Sequence, residues 1–107
     1  MDTLQALYET VLERKSTKTE GSYTGYLFEK GLDKILKKCG EECSEVIIAA
    51  KNGDNTETVM EISDLLYHLT VLIANEGIDY KDVQAELEKR AGKQKNLKTL
   101  HEVDKNT

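Results

Sequence analysis

Residues 59–75 read VMEISDLLYHLTVLIAN, and this stretch decides the fold. Glu61 and Asp64 are its only formally charged side chains. The rest is mostly apolar and long enough for a buried helix rather than a strand. Burying an unpaired carboxylate costs several kcal/mol, so two of them one turn apart require a partner. At about 100° per residue, Glu61, Asp64 and His68 fall within an arc of roughly 60°. Leu65 and Leu72 border that arc, so it is not an ordinary solvated face.

The preceding stretch supplies the partner. Leu32 to Asn52 reads as a second long helix, roughly 30 Å at 1.5 Å per residue. Leu32, Ile35, Leu36, Cys39, Cys43, Val46, Ile47 and Ala50 fill one side of it, and Glu41, Glu42 and Glu45 form a narrow arc on the other. Asn52, Gly53 and Asp54 make a short turn, and Asn55 or Thr56 is the expected cap of the helix after it. Two carboxylates spaced i, i+3 can reach one point. An E-x-x-E pair facing an E-x-x-D pair can therefore hold one or two hard cations, with Mg2+ the natural choice. Taken alone, Glu41, Glu42 and Glu45 fit a solvated face with Lys34, Lys37 and Lys38 as partners. The apolar setting of Glu61 and Asp64 favours the metal site. His68 is open between support of a ligand carboxylate, contact with substrate, and a satisfied core histidine. Gly40 inside the helix costs about 1 kcal/mol relative to Ala, which close approach of another backbone or a ligand would explain, as would simple tolerance.

Further out, Thr3 is the expected cap of a first helix to about Arg14, with Leu4, Leu7, Tyr8, Val11 and Leu12 on one stripe. KSTKTEGS reads as an exposed loop, and YTGYLFEKG as a short helical turn ending at Gly31. Asp79 opens an amphipathic helix to about Arg90, and the polar chain from Gly92 is expected to be partly disordered. The expectation is an all-α chain of four to five helices: one domain over residues 1–95 and a polar tail over residues 96–107. The helix over 59–75 is apolar nearly all round, and one hairpin cannot cover it. Two chains sharing a bundle core, a homodimer, solve that problem.

Composition agrees. The chain has 107 residues, no proline and 6% aromatics. Its net charge of -5 argues against a nucleic-acid binder. No apolar run approaches about 18 residues, so no membrane span is expected. No basic-then-apolar leader is visible, which points to the cytoplasm. Cys39 and Cys43 read as small, reduced core residues.

With these residues in place, the chain resembles the phosphoribosyl-ATP pyrophosphatases of histidine biosynthesis, within the all-α, MazG-like NTP pyrophosphatases. The resemblance runs from about residue 4 to 92. GSYTGYLFEKG at 21–31, KILKKCGEECSEVIIAAKNG at 34–53 and EISDLLYHLTVLI at 61–73 carry it. It implies Mg2+-dependent hydrolysis of the α–β phosphoanhydride of phosphoribosyl-ATP, and a MazG-like homodimer. It also implies Glu42, Glu45, Glu61 and Asp64 as the metal set, with Glu41 a helper. Glu41 or Glu42 is the candidate for positioning the attacking water. Lys34, Lys38, Arg14 and Lys30 are candidate phosphate partners. Ser22, Tyr23 and Thr24 offer hydroxyls to phosphate or ribose, and Tyr23 is equally suited to packing. Two rivals remain: a housecleaning pyrophosphatase acting on dNTPs, and a non-catalytic helical dimerisation module.

Overall fold

A computed structural model describes residues 2–17 and 20–93, with the side chain of Lys93 excepted. The expected tail over residues 96–107 lies outside the described residues, whereas Gly92 and Lys93, expected to belong to the polar stretch, are still helical. Among them are five helices and no strand: α1 (Thr3–Ser16), α2 (Tyr23–Lys30), α3 (Leu32–Lys51), α4 (Asn55–Asn75) and α5 (Tyr80–Lys93).

The long helices α3 and α4 pack against each other as an antiparallel hairpin. Their turn is a Schellman ending. Gly53 N–H donates to Ala50 O at 3.1 Å and Asp54 N–H to Ala49 O at 3.3 Å. The cap of α4 is Asp54, not Asn55 or Thr56: its carboxylate accepts from Glu57 N–H at 3.0 Å. Aspartate is a stronger cap than threonine and already stands in extended backbone, which moves the start of α4 back by a residue. The same preference places Asp2, rather than Thr3, at the head of α1. Helix α1 runs two residues past Arg14, to Ser16.

YTGYLFEKG is more than a turn. Ser22 caps a two-turn helix by accepting from Gly25 N–H at 3.1 Å. Gly31 then ends α2 and begins α3 at φ 89°, ψ -170°. Only glycine visits that region without strain. Open space surrounds the position of a Cβ at Gly31, so Gly31→Ala tests the backbone alone. It should destabilise the chain by about 1–3 kcal/mol in urea unfolding. An unchanged midpoint would show that the α2–α3 joint relaxes freely.

The core is small. Val11, Leu27, Ile35, Val71 and Ala74 are fully buried, with Leu7, Tyr8, Phe28, Cys39, Tyr67 and Leu72 packed around them. This cluster gathers the start of α3, the end of α4, α1 and α2. The other end of the hairpin projects past it. One expectation is corrected: Cys43, Leu36 and Ile47 do not lie in the core of the chain. Cys43 is exposed, as are Leu36 and Ile47. Leu36 adjoins the fully buried Ile35, so theirs is a face of α3 turned away from the core rather than an end beyond it. Leu36, Gly40, Cys43 and Ile47 form one stripe at alternating spacings of four and three. On α4, Val59, Ile62, Leu66 and Leu69 repeat that spacing and are likewise exposed. No helix is long and apolar enough to cross a membrane among the described residues.

Candidate metal and phosphate site

Glu42 and Glu45 on α3 meet Glu61 on α4. One carboxylate oxygen from each lies within 4.8 Å of the others. The hairpin register does this: both α3 residues stand one turn apart, and Glu61 faces them across the helix pair. Glu42 is only 7% exposed. One oxygen of Glu42 and one of Glu61 are fully buried with no hydrogen-bond partner. Orphaned buried acceptors are costly, more so when charged.

The electrostatics reflect this crowding. The close Glu45 carboxylate, then burial, then Glu57 push the Glu61 carboxyl up to about 8. Burial pushes Glu42 up, and the charges of Glu45 and Asp64 add to it. Three carboxylates without a cation thus hold on to a proton. Their all-oxygen donor set and unshared lone pairs fit a hard divalent cation and not a soft one.

A pH prediction arises here. An ordinary glutamate loses its proton near 4.5, whereas Glu61 keeps its own to about 8. Between those values the folded chain binds more protons than the unfolded chain, so its stability falls as pH rises. A cation on the cluster removes that penalty. The metal-free melting temperature should fall from about pH 5 to about pH 8, and Mg2+ should raise it more at the higher pH. An equal Mg2+ effect at both values would contradict this electrostatic picture.

The other candidates divide. Asp64 is exposed and outside the closest trio, although its charge still acts on Glu42. Glu41 stands apart from the trio in an ion pair with Lys38 at 3.1 Å, which holds its carboxyl below the usual range. Lys38 also approaches Glu42 at 3.7 Å. Lys30 and Lys34 place their ammonium groups 5.8 and 6.0 Å from the Tyr26 ring centre. Ser22 uses its oxygen to cap α2. Thr24 and Tyr67 share a hydrogen bond between hydroxyls. The Tyr23 hydroxyl and His68 Nε2 are 3.0 Å apart. Burial raises the Tyr23 phenol above its usual range, while Lys38 pulls it down. Arg14 lines a cleft of about 900 Å³ with Ser22, Tyr23, Gly25 and Tyr26.

Sequence reasoning missed two participants. Glu57 lines a hollow of about 330 Å³ beside Glu45 and Glu61. Its position one turn before Glu61 was the available signal. Tyr67 stacks on Tyr23 with ring centres 6.2 Å apart. Being next to His68 in DLLYH, it looked like one more apolar residue.

Carboxylates from two antiparallel helices that converge on one point define a helical-bundle protein with an acidic site compatible with a divalent cation. The chain belongs to the phosphoribosyl-ATP pyrophosphohydrolase family, which matches residues 4–91. It is 54% identical over 100 residues to the phosphoribosyl-ATP pyrophosphatase of Streptococcus thermophilus, covering 94% of this chain and 96% of that protein. The Listeria welshimeri protein of the same name is 56% identical over 101 residues, covering 94% and 97%. That of Bacillus cereus is 54% identical over 98 residues, covering 92% of each.

Proposed function

We propose that this chain hydrolyses phosphoribosyl-ATP to phosphoribosyl-AMP and pyrophosphate, a step of histidine biosynthesis in the cytoplasm. The observation that carries this reading is the pair of orphaned buried oxygens on Glu42 and Glu61 inside the trio. Glu42, Glu45 and Glu61, with Asp64 at the rim, are the residues that would hold Mg2+. The cation would neutralise charge on the triphosphate and on the departing pyrophosphate. Water adds to the α-phosphorus as the bond to the bridging oxygen breaks, and the proton leaves to solvent through a carboxylate. Glu42 is better placed than Glu41 to orient that water, because Glu42 belongs to the trio and Glu41 stands outside it. Lys38 and Arg14 are the cations offered to phosphate oxygens, Lys38 beside Glu42 and Arg14 in the large cleft. A cleft of that size suits the nucleoside part of the substrate. Lys30 and Lys34 flank it over Tyr26.

The active unit is a homodimer. The stripes Leu36–Gly40–Cys43–Ile47 and Val59–Ile62–Leu66–Leu69 alternate spacings of three and four, as helix–helix seams do. A second copy would cover both, and Gly40 would let the backbones come close. The domain spans residues 1–95.

A pyrophosphate-release assay with and without Mg2+ tests the reaction. Release from phosphoribosyl-ATP and not from dNTPs is expected. Turnover of dNTPs alone would favour a housecleaning enzyme. No turnover and no Mg2+ binding would favour a dimerisation module.

A further inference from the structure

His68 is only 5% exposed, and neither ring nitrogen is idle. Nδ1 lies 2.7 Å from the main-chain carbonyl of Asp64, and Nε2 lies 3.0 Å from the Tyr23 hydroxyl. A carbonyl oxygen only accepts, so Nδ1 carries the proton and donates it. In the neutral ring Nε2 is then a lone pair, and the Tyr23 O–H must donate to it. The single phenol proton is spent on this bond, which leaves the Tyr23 oxygen with lone pairs alone to offer elsewhere.

The orientation is held from several sides. The Tyr23 ring stacks with Tyr26 at 6.1 Å and Tyr67 at 6.2 Å, and meets His68 edge-on at 5.8 Å. Tyr67 is hydrogen-bonded in turn to Thr24, the residue after Tyr23. Through His68, whose Nδ1 bonds the carbonyl of Asp64 one turn after Glu61, the Tyr23 phenol is tied to the stretch of α4 that carries the trio's Glu61. Tyr23 also lines the large cleft with Arg14. It therefore stands between the place suited to phosphates and the place suited to a nucleoside.

We propose that His68 is a positioning residue that turns the only proton of Tyr23 away from the substrate, so that the Tyr23 oxygen accepts a hydrogen bond from a ribose hydroxyl and does not donate one to a phosphate. An ionised phosphate oxygen has no proton to give, and would meet the Tyr23 lone pairs oxygen to oxygen. A ribose hydroxyl has a proton and fits. The phosphates are left to Lys38, Arg14 and the bound cation, and Tyr23 sorts the sugar from the phosphate side of the ligand. This inference rests on the phosphoribosyl-ATP reading for the identity of the ligand, but the His68–Tyr23 arrangement does not.

Long-range 1H–15N correlation spectroscopy on the metal-free full chain reads the arrangement directly. The chain has two histidines, and comparison with His68→Gln assigns the signal. A neutral ring protonated on Nδ1 is expected. A ring protonated on Nε2, or on both nitrogens at neutral pH, would overturn the proposal whatever the substrate is. In kinetics, Tyr23→Phe should lose efficiency on phosphoribosyl-ATP about tenfold, chiefly in KM rather than kcat. It should also discriminate less than the parent chain against a substrate analogue lacking the ribose hydroxyls. His68→Gln keeps an acceptor and should fall between the parent and His68→Leu in KM. An unchanged KM in Tyr23→Phe, or equal KM in the two His68 variants, would reject the role. If the parent chain spares phosphoribosyl-ATP altogether, the functional reading fails while the spectroscopic result still stands or falls alone.

Discussion

Glu61→Gln should lower pyrophosphate release by about a thousandfold or more, yet leave the helical circular dichroism intact. It should also make the metal-free chain more stable above neutral pH. Both effects have one cause. The Glu61 carboxyl holds its proton to about 8 because Glu45, burial and Glu57 oppose its charge. A glutamine copies the protonated form: it is neutral, similar in shape and able to donate to Glu45. Folding therefore no longer has to gather as much negative charge in one place. A cation held by the trio would, by contrast, lose a charged ligand. Glu42→Gln should behave in the same way, because Glu42 is buried and also pushed up. Unchanged activity in either variant, with the fold preserved, would remove the trio from the reaction. Asp64→Asn should cost less than Glu61→Gln, since Asp64 stands outside the closest group.

The second large effect concerns association. Ile47 and Val59 are each 64% exposed in the single chain. If the chain worked alone, a charge at such positions would shift stability by no more than about 0.5 kcal/mol. In a dimer seam the same charge would be buried without a partner, once in each subunit. Ile47→Glu and Val59→Glu should each convert a dimer to a monomer at micromolar concentration. A loss of roughly a thousandfold in association follows if each buried charge costs at least about 2 kcal/mol. Analytical ultracentrifugation reads this directly. A parent chain that sediments as a monomer, or variants that remain dimeric, would place the exposed stripes outside any seam.

The hairpin was legible because its signals are local. Alternating apolar spacing, a Gly53 turn and acidic residues in an apolar background are all written within a few turns of sequence. The trio was legible for the same reason: Glu61 stands out against its neighbours, and Glu42 and Glu45 follow from helical spacing. Long-range partners were less visible. Nothing near Glu41 in the sequence tells it from Glu42, yet a rotation of about 100° leaves one exposed outside the trio and puts the other inside it, buried. Cys43 and Ile47 looked like core residues because periodicity reports an apolar face, not what covers it. The Ser22 oxygen went to a cap and the Thr24 and Tyr23 hydroxyls to Tyr67 and His68, partners more than forty positions away. Only folding brings those together.

The central claim is that carboxylates from α3 and α4 share one cation. Calorimetric titration of the metal-free chain with Mg2+ near pH 8, beside Glu61→Gln and Glu41→Gln, tests it most directly. Saturable binding with proton release is predicted for the parent chain, nearly kept in Glu41→Gln and abolished in Glu61→Gln. Equal binding in the parent chain and Glu61→Gln, or none in the parent chain, would contradict it.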